Sequence, residues 1–381
     1  MRKMDFVCPC LLGIEGLLSN ELKRMCAENV LSQNGRVTFS GDYNILARAN
    51  ICSRYAERVL ILMGSFRAEN FEELFQGVKK LAWEDLIGKN DAFPVKGSSL
   101  NSKLFSVPDC QSIIKKAIVE RLKERYNVPW FEETGALFSV QFLIMKDIVS
   151  VMVDTSGAGL HKRGYRKNST EAPIKETLAA AMVNLAHVRS SSTVYDPFCG
   201  SGTILIEAAL YAMNIAPGIN RRFIAESWPW IQPSIWNNER QRALEGIRRN
   251  VEFQAFGYDI DKNAIELTKE NAKKAGVEAK IKVEKQDIKD FKALSERGII
   301  ICNPPYGERL LDVKRVRELY ETMGKVFKKQ EGMNYYIISP DEDFESYFLR
   351  KSQKRRKLYN GMIKCQYHMY FNEGDMKQEL T

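Results

Sequence analysis

Four short stretches carry residue types suited to holding and orienting a small polar ligand. The first is Asp196-Pro197-Phe198-Cys199-Gly200-Ser201-Gly202-Thr203. Glycines in such a run let the backbone turn sharply and pass close to a bound group. The second contains Asp259, Ile260 and Asp261. A carboxylate at Asp259 can accept from both hydroxyls of a ribose, whereas Asp261 suits the cap of a following helix. The third is Asp287-Ile288. Asp287 can accept from an adenine amino group while Ile288 covers the ring face; taken alone, it serves equally as a turn carboxylate. The fourth, Asn303-Pro304-Pro305-Tyr306, is the most constrained. Pro305 fixes its own φ and restricts Pro304, so Asn303 and Tyr306 are held in one arrangement. The Asn303 side-chain oxygen and the Pro304 carbonyl can both accept from one planar NH₂ group, with Tyr306 stacked on the attached ring. Two other nucleotide motifs fail on spacing. A dinucleotide fingerprint wants a third glycine where Leu205 stands and an acid about 20 residues on. A P-loop wants a lysine directly after its glycines.

Each stretch closes a strand-like run: TVYD (193–196), AFGYD (255–259), AKIKVEK (279–285) and GIIICN (298–303). Helical patterns follow, TILIEAALYAMNIA and KNAIELTKENAKKA among them, then a helix near 314–329, a strand over 335–339 and an alternating run over 362–371. Strand–helix alternation predicts an α/β Rossmann-like domain, a mostly parallel sheet with helices on both faces. Ligands then bind at the carboxyl ends of the strands. Four ligand-type residues at four successive strand ends are stronger evidence than any one of them. Residues 1–155 read differently, as an α+β region. Strand-like runs at 5–8, 36–39, 58–66, 138–145 and 148–154 alternate with helical patterns near 13–27, 42–52, 70–80 and 108–126. Between the halves, 156–174 is a basic, glycine-containing linker. The second domain is expected over 175–381, with an insertion at about 217–252. Trp228, Trp230 and Trp236 in that insertion suit packing better than stacking on bases.

Composition narrows the setting. At 381 residues, 44% hydrophobic and 28% charged, the chain can build two or three ordinary domains. The apolar run near the N-terminus is broken by Pro9, Gly13, Glu15 and Gly16, so no signal peptide is expected. No membrane span and no metal are expected either. The eight scattered cysteines include no CxxC spacing, which points to a reducing cytoplasm rather than a disulfide framework or zinc site. The net charge of +9 is mild but concentrated. One cluster is Lys162, Arg163, Arg166 and Lys167; another is Arg350, Lys351, Lys354, Arg355, Arg356 and Lys357. Concentrated positive charge suits a polyanion, and these clusters are candidate RNA contacts.

DPFCGSGT, GYDID, QDI and NPPYGERL, in that order, resemble the class I S-adenosylmethionine-dependent methyltransferases that act on exocyclic amines. HKRGYR followed by APIKETLAAAM, and the insertion containing WPWIQPSIW, narrow the resemblance to THUMP-domain-containing bacterial RNA guanine-N2 methyltransferases of the 23S ribosomal RNA type. The resemblance covers nearly the whole chain and is most specific over 155–310. It implies a ferredoxin-like start, a THUMP core over about 43–155 that binds RNA, and a single methyltransferase domain. It implies S-adenosylmethionine as cofactor, held by Asp196, Phe198, Gly200, Gly202, Thr203, Asp259, Ile260, Asp287, Ile288 and Asn303. Lys175, Glu176 and Thr177 would lie near its methionine end. Asn303, Pro304 and Tyr306 would hold the target base. The target would be N2 of a guanosine in 23S ribosomal RNA. A tRNA, or another planar amine such as adenine N6, fits the same motif. An RNA-binding assembly factor with a vestigial fold is the non-enzymatic alternative, and the intact glycines and acids argue against it.

Overall fold

The computed structural model describes residues 3–166, 174–306, 310–330 and 332–372, without the side chains of 310–313. The chain forms two compact units. One comprises Met1–Cys10, Leu18–Leu160 and Arg222–Gln241; the other comprises Leu11–Leu17, His161–Arg221 and Arg242–Thr381.

Up to residue 160 the elements are β1 (Met4–Pro9), α1 (Glu15–Arg24), β2 (Glu28–Gln33), β3 (Arg36–Gly41), α2 (Tyr43–Cys52), β4 (Leu60–Arg67), α3 (Phe71–Lys79), β5 (Val95–Leu100), α4 (Val107–Tyr126), β6 (Val140–Met145) and β7 (Ile148–Asp154). Their strands make one seven-stranded sheet in the order β2-β3-β1-β4-β7-β6-β5, in which only β5 and β6 run parallel. Local chemistry sets the helix ends. Asp42 caps α2 by accepting from Asn44 N and Ile45 N. Pro108 stands in the first turn of α4, and Asn127 ends it in the left-handed region at φ 51°. Strands β2 and β5, which no sequence pattern announced, are the two edges of the sheet.

The segment Arg222–Gln241 belongs to this first unit, although its place in the sequence suggested an insertion of the second domain. Large aromatic side chains explain it. The Trp228 ring stacks on Phe138 with centroids 4.6 Å apart, and its Nε1 donates to the Leu137 carbonyl at 3.0 Å. Trp230 Nε1 donates to the Leu86 carbonyl at 3.0 Å. Arg48 forks onto the Glu239 carboxylate with bonds of 2.7 and 2.6 Å. Burying a tryptophan removes roughly 150–250 Å² of surface from water, enough to decide where a segment packs. Trp228 and Trp236 are each 1% exposed, which excludes them from stacking on a nucleic acid base.

The second sheet is built from β8 (Thr193–Asp196), β9 (Gln254–Asp259), β10 (Ile281–Lys285), β11 (Gly298–Cys302), β12 (Met333–Ser339), β13 (Lys354–Asn360) and β14 (Ile363–Tyr370). The helices after residue 160 are α5 (Glu176–Leu185), α6 (Thr203–Ala212), α7 (Pro233–Glu245, mostly within the first unit's Arg222–Gln241 segment), α8 (Lys262–Lys274), α9 (Leu310–Phe327) and α10 (Phe344–Tyr347). The strand order is β10-β9-β8-β11-β12-β14-β13. The five strands β8 to β12 are mutually parallel, and β14 and β13 close the sheet antiparallel. This is the Rossmann-like architecture of a class I methyltransferase. The order runs outward from β8 to β9 and β10, then restarts on the other side of β8 with β11. That reversal opens a crevice at the carboxyl ends of β8 and β11, where doubly wound sheets bind ligands. The basic run after Arg350 supplies β13, the sheet edge, a strand that the alternation rules did not reveal.

Candidate active site

The crevice is a cavity of about 870 Å³. Its walls bring together Asp196, Phe198, Gly200 and Thr203 after β8, Asp259 and Ile260 after β9, Asp287 and Ile288 after β10, and Asn303, Pro304 and Tyr306 after β11. Residues scattered over more than a hundred positions thus line one space.

The first loop is tied down on both sides. The Asp196 carboxylate accepts from Phe198 N at 3.0 Å, and Gly202 N closes a turn onto the Cys199 carbonyl at 2.7 Å. Gly202 adopts φ +78° at the start of α6, and a Cβ there would lie 2.6 Å from the Thr268 methyl. Only glycine meets both conditions. Gly202 therefore shapes the loop instead of lining the cavity. Thr268 Oγ1 donates to the Gly200 carbonyl at 2.8 Å, and Gly200 N donates to Asp259 Oδ2 at 3.0 Å. The loop and the second strand end are one hydrogen-bonded assembly. Asp259 Oδ1 accepts from Asp261 N at 2.9 Å, and Asp261 caps α8 by accepting from Asn263 N at 2.9 Å, the capping role expected of it. Asp287 accepts from Lys289 N at 3.0 Å. It is both a turn carboxylate and a cavity wall.

Among the described residues no cation stands beside Asp196 in the cavity wall. Burial, reinforced by the negative charge of Asp259, pushes its pKa up to about 8, against the opposing pull of the Phe198 N–H. Its carboxyl group is therefore largely protonated at neutral pH.

At the fourth strand end the expected acceptor is already engaged. The Tyr306 hydroxyl donates to Asn303 Oδ1 at 2.5 Å and accepts from Asn360 Nδ2 at 3.2 Å. Burial, with a smaller effect of Cys365, holds the Tyr306 phenol well above its ordinary pKa, so it stays a neutral donor. Asn360, Gly361 and Ile363 from the β13–β14 hairpin, and Arg315 and Glu318 from α9, complete this wall. Sequence reasoning missed these residues. They carry no motif, and only the antiparallel closure of the sheet brings the hairpin to the cavity.

Three of the expected site residues lie away from the cavity or the open surface. Thr177 is fully buried in α5 and is not among the described lining residues; Lys175, two positions earlier, lines the cavity instead. Arg163 is 6% exposed, with its Nε 3.5 Å from Glu207 Oε1. Arg166 donates to the Ile174 carbonyl at 3.0 Å and pairs with Glu176 at 3.1 Å. Both arginines point inward to carboxylates on α5 and α6, because an arginine beside a buried acid is more stable paired with it than solvated alone. Lys162 of the same cluster is exposed, and Lys167 lies outside the described residues.

The second cluster stays outside. Lys354, Arg355 and Lys357 are exposed along β13, Arg356 is half-buried, and Arg355 stands 3.7 Å from Glu345.

Comparison with known proteins agrees with this geometry. Residues 163–369 match the RMKL-like methyltransferase domain family, residues 5–60 a ferredoxin-like domain of the RlmL type, and residues 68–154 the THUMP domain. The chain is 43% identical, over 100% of its length and 99% of the relative's, to YpsC of Bacillus subtilis (strain 168), a protein named provisionally as an RNA methyltransferase. It is 34% identical over 96% of its length to the ribosomal RNA large subunit methyltransferase K/L of Shewanella baltica (strain OS155), of which it spans 53%. SMU.472, named provisionally as a methyltransferase and solved in complex with S-adenosylhomocysteine, superposes with a TM-score of 0.93 at 40% identity, covering 98% of this chain and 99% of that one. The fold and site thus define a class I methyltransferase that takes its methyl group from S-adenosylmethionine. The chain belongs to the RMKL-like methyltransferase family and carries a THUMP domain.

Proposed function

We propose that this chain methylates the exocyclic N2 amine of a guanosine in RNA, with large-subunit ribosomal RNA as the substrate. The observation that carries the reading is the row Asp287, Asp259, Asp196, Asn303 at the carboxyl ends of the neighbouring strands β10, β9, β8 and β11. Adjacent strands lie about 4.8 Å apart, so the row extends roughly 14 Å from one end to the other. An elongated nucleoside fits along such a row. Asp287 would take its base, Asp259 its ribose hydroxyls, and the loop after Asp196 its amino-acid tail. S-adenosylmethionine held there supplies a methyl group on a sulfonium, already activated for attack. The protein's own task is then orientation, which can contribute several kcal/mol to catalysis.

Asn303 Oδ1 and the Pro304 carbonyl accept the two N–H groups of the target amine and fix its plane. Accepting both protons raises electron density on a nitrogen whose lone pair is otherwise delocalised into the ring. Asn303 Oδ1 has two lone pairs, so it can accept from the amine while the Tyr306 hydroxyl stays bonded to it. The Tyr306 ring then stacks on the base, which enters the pocket extruded from its own strand. As the nitrogen–carbon bond forms, the methyl–sulfur bond would break to leave a thioether, and the extra proton on nitrogen passes to solvent water.

RNA as acceptor is supported by the THUMP match and by the names of the relatives. Guanine N2 rests on the resemblance of NPPYGERL and its flanking motifs to the ribosomal guanine-N2 enzymes. The activity of the K/L relatives belongs to proteins about twice as long, and its transfer to this chain is part of the proposal.

The test uses isotope-labelled S-adenosylmethionine, purified protein, and RNA from a strain lacking the gene. Label is expected in N2-methylguanosine from the large-subunit fraction and to disappear with Asn303→Ala, with cofactor affinity kept within a few-fold. Label in tRNA, or in N6-methyladenosine, overturns the substrate or the target atom respectively. Full activity of Asn303→Ala overturns the assignment of the acceptor.

A further inference from the structure

We propose that the tip of the β13–β14 hairpin is a wedge, with Met362 as the side chain that enters the RNA stack when the target base leaves it. The inference rests on the RNA reading above and adds a residue that the motifs do not contain. The two strands pair from Lys354↔Met369 up to Asn360↔Ile363, leaving only Gly361 and Met362 between them. Gly361 takes φ +63°, and Met362 has no positive φ. A glycine with positive φ at the first central position is the signature of the type II′ hairpin turn, among the tightest connections in proteins. The tip is therefore short and fixed in direction.

Its place matters. Asn360, Gly361 and Ile363 line the cavity, so Met362 stands at the rim. It is 97% exposed, the most exposed large apolar residue among those described. Hairpin tips favour glycine, asparagine, aspartate and serine, and a methionine there gains nothing from folding. Asn360 also ties the hairpin to the acceptor loop through the Tyr306 hydroxyl, fixing the tip relative to Asn303.

The rest of the hairpin says what it meets. Exposed Lys354, Arg355 and Lys357 on β13, and Lys364 on β14, complement a phosphate backbone. An aliphatic or thioether side chain pushed between bases replaces some of the stacking lost when a base swings out. Methionine is unbranched and polarisable and makes favourable contacts with aromatic rings, so it suits that gap. Phosphate contacts dominate the affinity for nucleic acid, whereas a wedge changes how often the base is out.

The test compares the full-length wild type with Met362→Ser and Met362→Leu on intact large-subunit ribosomal RNA from the deletion strain. Because Met362 is almost wholly exposed, both variants should fold as the wild type does. Met362→Ser is expected to lower kcat about tenfold, with RNA and S-adenosylmethionine affinities within about twofold, and Met362→Leu to restore most of the rate. Unchanged kcat in Met362→Ser overturns the wedge. So does a loss that appears in RNA affinity alone, or one that leucine does not repair. A wild type that labels no RNA overturns the substrate reading and the wedge together.

Discussion

Two basic clusters that look alike in the sequence have opposite fates in the structure. Arg163 and Arg166 are drawn inward to Glu207, Glu176 and the Ile174 carbonyl, where they pin the segment after the first unit onto α5 and α6. Lys354, Arg355 and Lys357 sit on an edge strand and remain in solvent. The difference lies in what surrounds each run. The first is followed by helices that bury Glu176 and Glu207, and a buried carboxylate captures whichever cation can reach it. The second forms the outermost strand of its sheet, next to one partner only. Local charge density describes a polyanion-binding surface only where no buried acid competes for it.

The sharpest way to break this contrast is Arg163→Ala. Removing one partner of a buried pair leaves a stranded charge and costs about 3–5 kcal/mol. Thermal unfolding should fall by several degrees or more, and a midpoint equal to wild type would return Arg163 to the surface. The buried carboxyl of Asp196 offers the complementary case, an acid with no arginine beside it among the described residues. Its folded pKa of about 8 stands above the ordinary 3.8, so the folded state keeps a proton that the unfolded chain has released. That contribution to stability is complete below pH 4 and is lost as pH rises toward 8. The wild-type unfolding midpoint should therefore fall between pH 5 and pH 9 more steeply than that of Asp196→Asn; parallel profiles would mean that the carboxyl is ionised throughout.

Smaller effects are expected outside. Lys354→Ala combined with Lys357→Ala should weaken RNA binding about tenfold and flatten its salt dependence, without moving the unfolding midpoint. Affinity measured against salt concentration decides this, and an unchanged slope removes the edge strand from the RNA surface. Lys162→Ala, the exposed residue of the inward cluster, should change RNA affinity by twofold or less.

The same contrast between inside and edge explains what the sequence disclosed. The strands that end in Asp196, Asp259 and Asn303 were legible because central parallel strands are apolar and are punctuated by helices. The ligand residues at their ends are of types with few other uses in such places. The strands that escaped notice are β2, β5 and β13, all at sheet edges. An edge strand can be mostly polar, as ENVLSQ, VKGSSL and KRRKLYN are, and then shows no clear alternation. Asn360 was hidden for another reason. Its role comes from a hairpin that reaches the cavity through long-range closure of the sheet, and no spacing rule links it to the motifs. The tryptophan segment was illegible in the same way, since Trp228 packs on Phe138, ninety positions earlier.

That last packing sets a clock on synthesis. The first unit draws its final segment from Arg222–Gln241, so its chain is incomplete when residue 160 has been made. At roughly 5–20 residues per second, the ribosome needs about 4–16 s more before Trp228, Trp230 and Glu239 are all available. Until then Phe138 lacks its stacking partner and Arg48 its carboxylate. The nascent N-terminal sheet must wait, partly uncovered, for a piece of chain delivered from within its neighbour.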